Sequence, residues 1–259
     1  MLTRLAILLS TALAAHCAYA DDAANGAANQ AQTGAPAAKT RAACATNLTP
    51  RTVEYPWMSI ERWHRMYADQ VARAEKGDID VMFLGDSITE MWTKEIFEAN
   101  FGRFKPANFG IGGDHTGNVL WRLQNPAIAH LKPKLIVLLI GVNNFNLCNE
   151  APEQVFSGIQ AVVATLRKQY PAARILLNAV LPTGEVPDSP VRQRVVALNK
   201  MVATLGDDKN VFFHDYGARF ARADGMLSAE IQPDFLHLSE KGYRIWADAM
   251  RPDIERLLK

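Results

Sequence analysis

Few cysteines, no excess of charge and no long apolar run set the first limits on this chain. Its 259 residues hold three cysteines, Cys17, Cys44 and Cys148, with no Cys-x-x-Cys pair and no His-Glu-x-x-His. No metal is therefore expected, and no Walker loop offers a phosphate cradle. The formal net charge is +1 and the basic residues form no cluster, which argues against nucleic acid as a partner. The most apolar run, residues 5–15, is too short to span a bilayer comfortably. What the chain does have is a hydrophobic content of 49%, enough for one domain with a well-buried core.

The first twenty residues read as a signal peptide. Arg4 precedes the apolar run, and Ala18-Tyr19-Ala20 forms a small-x-small cleavage site. Lipoprotein processing at Cys17 conflicts with His16, because such sites need a small residue there. The expectation is export, to a periplasm or to the outside. Cleavage at residue 20 leaves Cys44 and Cys148, which an oxidising compartment would allow to pair; two separate thiols remain the equal alternative. Residues 21–48 are rich in Ala, Asn, Gln, Thr and Gly without apolar period, the composition of a flexible spacer. Residues 49–259 are then the folded domain.

Within that domain, helical patterns alternate with short β-rich runs. Helices are predicted over 60–76, 87–100, 116–124, 152–170, 191–205 and 240–258, and strands over 79–84, 107–109, 135–140, 174–180 and 211–214. The run at 135–140 is wholly apolar, as a strand buried on both faces requires. Such alternation predicts an α/β fold, a parallel sheet with helices on both faces. Ligands of such sheets bind at the carboxyl ends of the strands, so the loops that follow the strands are the ones to read for chemistry.

The first is Gly85-Asp86-Ser87-Ile88-Thr89-Glu90. Ser87 there is either a nucleophile at the start of a helix or one half of a Ser-x-x-Glu capping box. It is not the Gly-x-Ser-x-Gly elbow, since Asp86 precedes the serine and Thr89 stands at the second glycine's place. The second loop, from Asn108 to Thr116, contains Gly110, Gly112 and Gly113 and lacks the third glycine of a dinucleotide fingerprint, His115 standing there instead. It exposes N–H groups to a ligand, or it is a plain strand-to-helix turn capped by Asp114. The third, Gly141-Val142-Asn143-Asn144, offers side-chain amides that either shape a turn or donate to an oxyanion. In the fourth, Asp234 lies three residues before His237, a spacing that lets a carboxylate fix the imidazole tautomer.

Together these loops supply a nucleophile (Ser87), a base (His237), an orienting acid (Asp234) and oxyanion donors (backbone N–H groups at the Ser87 helix start and in the glycine loop, and the Asn143 amide). Asp86, His115 and Asn144 are candidate substrate-pocket residues. Trp57, Trp63, Trp92 and Trp121 raise the idea of a sugar-stacking platform, although helical tryptophans more often pack in cores.

Gly85-Asp86-Ser87, Gly113, Asn143 and the Asp234–His237 box resemble the four blocks of the SGNH (GDSL-type) esterase and lipase superfamily. The run from Asn108 to Asp114, continued by Asn118-Val-Leu-Trp-Arg-Leu123, resembles more closely the catalytic subunits of the intracellular platelet-activating-factor acetylhydrolases, as do Gly141-x-Asn-Asn144 and Leu236-His-Leu-Ser239. The similarity covers roughly residues 55–258. It implies a flavodoxin-like three-layer α/β/α sandwich on a five-stranded parallel sheet, no cofactor, hydrolysis of short acyl esters, and a homodimer. Asn144 departs from the superfamily's usual Asp but matches the acetylhydrolase branch. The leader departs from that intracellular branch and leaves the substrate open between small acyl esters, an O-acetylated polysaccharide, and a lysophospholipid, thioester or aryl ester. A non-catalytic binding domain on the same fold is the alternative of another class.

Overall fold

Five short β-rich runs, each ending in or next to glycine or a polar turn, align in one parallel sheet. The structure is a computed structural model describing residues 44–259; the predicted leader and most of the predicted spacer fall outside the described residues. The strands are β1 (Val81–Gly85), β2 (Pro106–Gly110), β3 (Leu135–Leu139), β4 (Arg174–Asn178) and β5 (Val211–His214), in the order β2-β1-β3-β4-β5. All four pairings are parallel, with Gly85 opposite both Gly110 and Leu139. This is the flavodoxin-like order, whose strand sequence reverses between β1 and β3.

The helices are α1 (Ile60–Glu75), α2 (Ser87–Glu90), α3 (Lys94–Phe101), α4 (Thr116–Arg122), α5 (Pro126–Ala129), α6 (Val142–Asn146), α7 (Pro152–Gln169), α8 (Pro190–Val202) and α9 (Glu240–Leu257). Parallel neighbours must be joined by crossovers, which as a rule are right-handed and place helices on both faces of the sheet. Helices α3 and α9 pack together, and α7 packs between α4 and α8. Every residue of β1 and β3 is buried, as expected for strands covered on both faces. The three-layer sandwich is therefore as the sequence predicts.

Two differences bear on the site. The helix predicted over 87–100 is broken into α2 and α3, because Trp92 turns inward. Its indole stacks on Trp246 at 5.2 Å and meets Tyr243 at 4.6 Å between ring centres, while Thr93 caps a new helix. Burying that ring outweighs one interrupted helical turn. Helix α6 was not predicted at all; it starts at Gly141, whose φ of 128° only glycine adopts readily.

Cys44 and Cys148 form a disulfide with Cα atoms 6.2 Å apart. It closes a loop across 104 residues of separation, and so fastens the segment before α1 to the loop after α6. Around it, Ala45 N–H donates to Glu150 and the Thr116 hydroxyl donates to Ala45 C=O. Residues 44–48, read from composition as the end of the spacer, are thus held to the folded domain by these bonds.

Candidate active site

Strand β1 delivers Ser87 to the carboxyl edge of the sheet, and the turn around it is tight. A side chain at Gly110 would strike the backbone of Glu90, and one at Gly85 would strike Leu139 C=O. The capping-box reading of Ser87 and Glu90 is not what forms. Asp86 is the cap, its Oδ1 accepting from Ile88 N–H at 3.0 Å. Glu90 turns away to accept from Gly112 N–H at 2.5 Å. The Ser87 hydroxyl is thereby left to meet His237 Nε2 at 2.9 Å.

His237 is presented by a strained turn. Phe235 sits at φ 56°, a left-handed conformation that costs about 1–3 kcal/mol in a bulky residue. Gly184 N–H and the Thr183 hydroxyl hold its carbonyl, at 2.8 and 2.9 Å. The turn brings Asp234 back onto the residues that follow it. Oδ1 accepts from the N–H groups of Leu236 and His237, and Oδ2 lies 2.7 Å from His237 Nδ1. Partial burial pushes the Asp234 carboxyl up, but the bonds from the His237 ring and backbone outweigh it and hold the pKa below the usual value. An ionised Asp234 in this position keeps the proton on Nδ1 and leaves Nε2 free to accept from Ser87.

The glycine loop after β2 and helix α6 after β3 complete the edge. Gly113 adopts φ 74°, and a Cβ there would lie 2.5 Å from the Trp57 ring, so only glycine fits. Asn143 is buried, with one amide hydrogen given to Asp114 C=O at 3.0 Å. That bond fixes the orientation of the amide and leaves its second hydrogen for the cavity. Among the described residues neither Ser87 N–H nor Gly113 N–H has a protein acceptor. Ser87, Gly113, Asn143, Asp234 and His237 all line one cavity of about 580 Å³.

The other predicted pocket residues lie elsewhere. Asp86 is 1% exposed beneath the serine, and burial raises its carboxyl to about 7. Asn144 is fully buried, bridging Thr116 and Glu150; it braces α6 against α4 and does not line the cavity. His115 lines a separate cleft beside the disulfide. Its Nδ1 caps α4 by accepting from Asn118 N–H, and burial lowers its pKa to about 4. The cap of α4 is therefore His115 and not Asp114.

Asp114 has a different task that the sequence did not reveal. It is fully buried and pairs with Arg122, itself 1% exposed, at 2.8 Å, while accepting from the Trp63 indole N–H at 2.6 Å. Arg122 also donates to Gln70, to Phe109 C=O and to Gly85 C=O. One guanidinium thus ties together the ends of β1 and β2 and the residue between Gly113 and His115. The eight-residue spacing from Asp114 to Arg122 crosses a loop and a helix, and no motif marks it. Arg51, Met58 and Arg62, grouped around the glycine loop and cavity, were equally silent in sequence.

Comparison with known proteins identifies the family and the fold. Residues 83–245 match the GDSL-like lipase/acylhydrolase family. The chain is 36% identical over 204 residues to the human platelet-activating factor acetylhydrolase IB subunit alpha1, covering 78% of this chain and 84% of the human one. The chicken alpha2 subunit is 37% identical over 185 residues, covering 71% and 79%. A GDSL-like lipase from Bacteroides thetaiotaomicron shares the fold with a TM-score of 0.60 at 22% identity, over 74% of this chain and 97% of that one. The chain belongs to the GDSL-like lipase/acylhydrolase family and is a hydrolase of ester bonds.

Proposed function

We propose that this protein is an exported serine esterase that hydrolyses short-chain, foremost acetyl, esters through Ser87, His237 and Asp234. The observation that carries the reading is the continuous hydrogen-bonded chain from Ser87 Oγ through the His237 ring to Asp234, opening on one cavity. In the first half-reaction His237 Nε2 takes the hydroxyl proton as Ser87 Oγ attacks the ester carbonyl. The oxyanion is received by the N–H groups of Ser87 and Gly113 and the free amide hydrogen of Asn143. The tetrahedral adduct collapses to an acyl-Ser87, and the alcohol departs with the proton from His237. Water, deprotonated by the same nitrogen, then releases the acid and restores the serine. Asp234 stays ionised throughout and stabilises the imidazolium.

The acetyl preference is supported by the two relatives above, both named acetylhydrolases. Export is supported by the leader pattern in the first twenty residues and by the Cys44–Cys148 disulfide. A series of p-nitrophenyl esters of growing acyl length tests the preference. We expect kcat/KM to be highest at acetyl and to fall at least tenfold by octanoyl, on the order of 1.4 kcal/mol. Equal or faster turnover of octanoyl esters would replace it with a lipase-like reading.

Asn143→Ala should lower kcat by roughly 10²-fold, the usual cost of one oxyanion donor, with a smaller change in KM. Steady-state kinetics on p-nitrophenyl acetate reads this. An unchanged kcat would leave the amide only its bond to Asp114 C=O.

A further inference from the structure

Among the described residues only six large hydrophobic side chains are exposed, and two of them, Trp57 and Met91, line the catalytic cavity. A bulky apolar side chain left open inside a cleft marks ligand contact more than a scattered one would. Trp57 is 49% exposed, whereas Trp63, Trp92 and Trp246 are buried in packing. It is also held rigidly. Tyr55 and Met58 exchange backbone bonds across Pro56-Trp57, at 3.1 and 3.0 Å. The Tyr55 ring stacks on the indole at 4.9 Å and 13°. Arg51 lies against both rings while donating to Gly112 C=O at 3.2 Å. The edge of the indole touches Gly113, so the platform begins beside the oxyanion loop.

The rim beside this platform is polar and carries no surplus of positive charge. Among the described residues Arg62 is the one cation lining the cavity, and it faces Glu90 at 3.4 Å; Asp234 adds a second carboxylate, and Asn146 an exposed amide. With Arg51 beside the indole, two cations face two carboxylates, and a phosphate-bearing leaving group would meet no net positive charge there. A flat apolar surface edged by planar donors and acceptors suits a neutral ring with C–H faces and hydroxyl edges.

We infer that Trp57 is the leaving-group platform of the enzyme and that the alcohol it holds is a sugar ring, making O-acetylated saccharides the preferred substrate class. This rests on the esterase reading above and adds to it the identity of the alcohol. Burial of one pyranose face on the indole orients the ester over Ser87. The contact is made with the alcohol half, so it serves the first half-reaction and is absent from deacylation.

The test compares three acetyl esters, ethyl acetate, acetylated xylo-oligosaccharides and an sn-2 acetyl alkyl-glycerophosphocholine, on the wild-type chain, Trp57→Ala and Trp57→Tyr. Wild type should favour the oligosaccharide. Trp57→Ala should lose at least tenfold more kcat/KM on the oligosaccharide than on ethyl acetate, mainly through KM, and Trp57→Tyr should restore most of it. Equal losses on those two esters would reduce Trp57 to a prop for Gly113 and overturn the inference. So would a wild-type preference for the phosphocholine ester. In Ser87→Ala protein, deacetylated xylo-oligosaccharide should quench tryptophan fluorescence, and the quench should vanish when Trp57→Ala is added; its absence from Ser87→Ala alone also counts against the platform. That binding readout does not depend on turnover. Inactivity of the wild type on all three esters would instead strike at the esterase reading itself.

Discussion

Replacing Ser87 by alanine is expected to lower kcat for p-nitrophenyl acetate on the order of 10⁶-fold while the thermal unfolding midpoint stays close to that of the wild type. The size follows from the loss of the group proposed to form the acyl-enzyme, since removal of a nucleophile from a serine triad costs about this much. The unchanged stability follows from the site. Ser87 does not cap its helix; Asp86 does, through Ile88 N–H. The serine hydroxyl makes a single side-chain bond, to His237. What activity survives should come from the oxyanion donors and bound water alone. Stopped-flow and long-time-course hydrolysis, read beside calorimetry, give both numbers. A loss of under tenfold would move the nucleophile elsewhere.

Arg122→Met is the second large effect, and it falls on stability first. The change leaves a fully buried Asp114 carboxylate without its cation and removes the donors from Gln70, Phe109 C=O and Gly85 C=O. Breaking a buried ion pair from one side costs about 3–5 kcal/mol, so the urea midpoint should drop by at least 1 M for a domain with m of about 2–3 kcal/mol/M. Adding Asp114→Asn should recover part of the loss, because an amide is far cheaper to bury than a lone carboxylate. Activity should fall as well, since Asp114 C=O anchors the Asn143 amide. A loss below about 1 kcal/mol would mean that water or a rearranged side chain replaces the guanidinium.

Most of the framework was legible in the sequence because it rests on local patterns. The apolar run of β3, the glycines ending β1 and β2 and the strand-helix alternation all act over a few residues. The same holds for the nucleophile turn and for the Asp234–His237 pair, whose partners sit three residues apart. What stayed hidden depends on contacts distant in sequence. Arg122 reaches Gln70 across 52 residues and Gly85 across 37. Trp92 breaks a helix only because Trp246 awaits it from α9. Asp86, His115 and Asn144 were read as pocket residues for a related reason. They adjoin Ser87, the glycine loop and Asn143 in sequence, but each side chain turns from the cavity to a cap or a buried bridge. Among four tryptophans considered together, burial alone distinguishes Trp57, and sequence does not report burial.

The central claim is that Ser87 is the nucleophile and that His237 activates it. A fluorophosphonate reagent tests it most directly, because such a probe forms a stable bond only with an activated serine. Peptide mapping by mass spectrometry should find one adduct per chain, on Ser87, with labelling slowed at least a hundredfold in His237→Ala. An adduct on a different residue, or no adduct on a protein that hydrolyses p-nitrophenyl acetate, would contradict it.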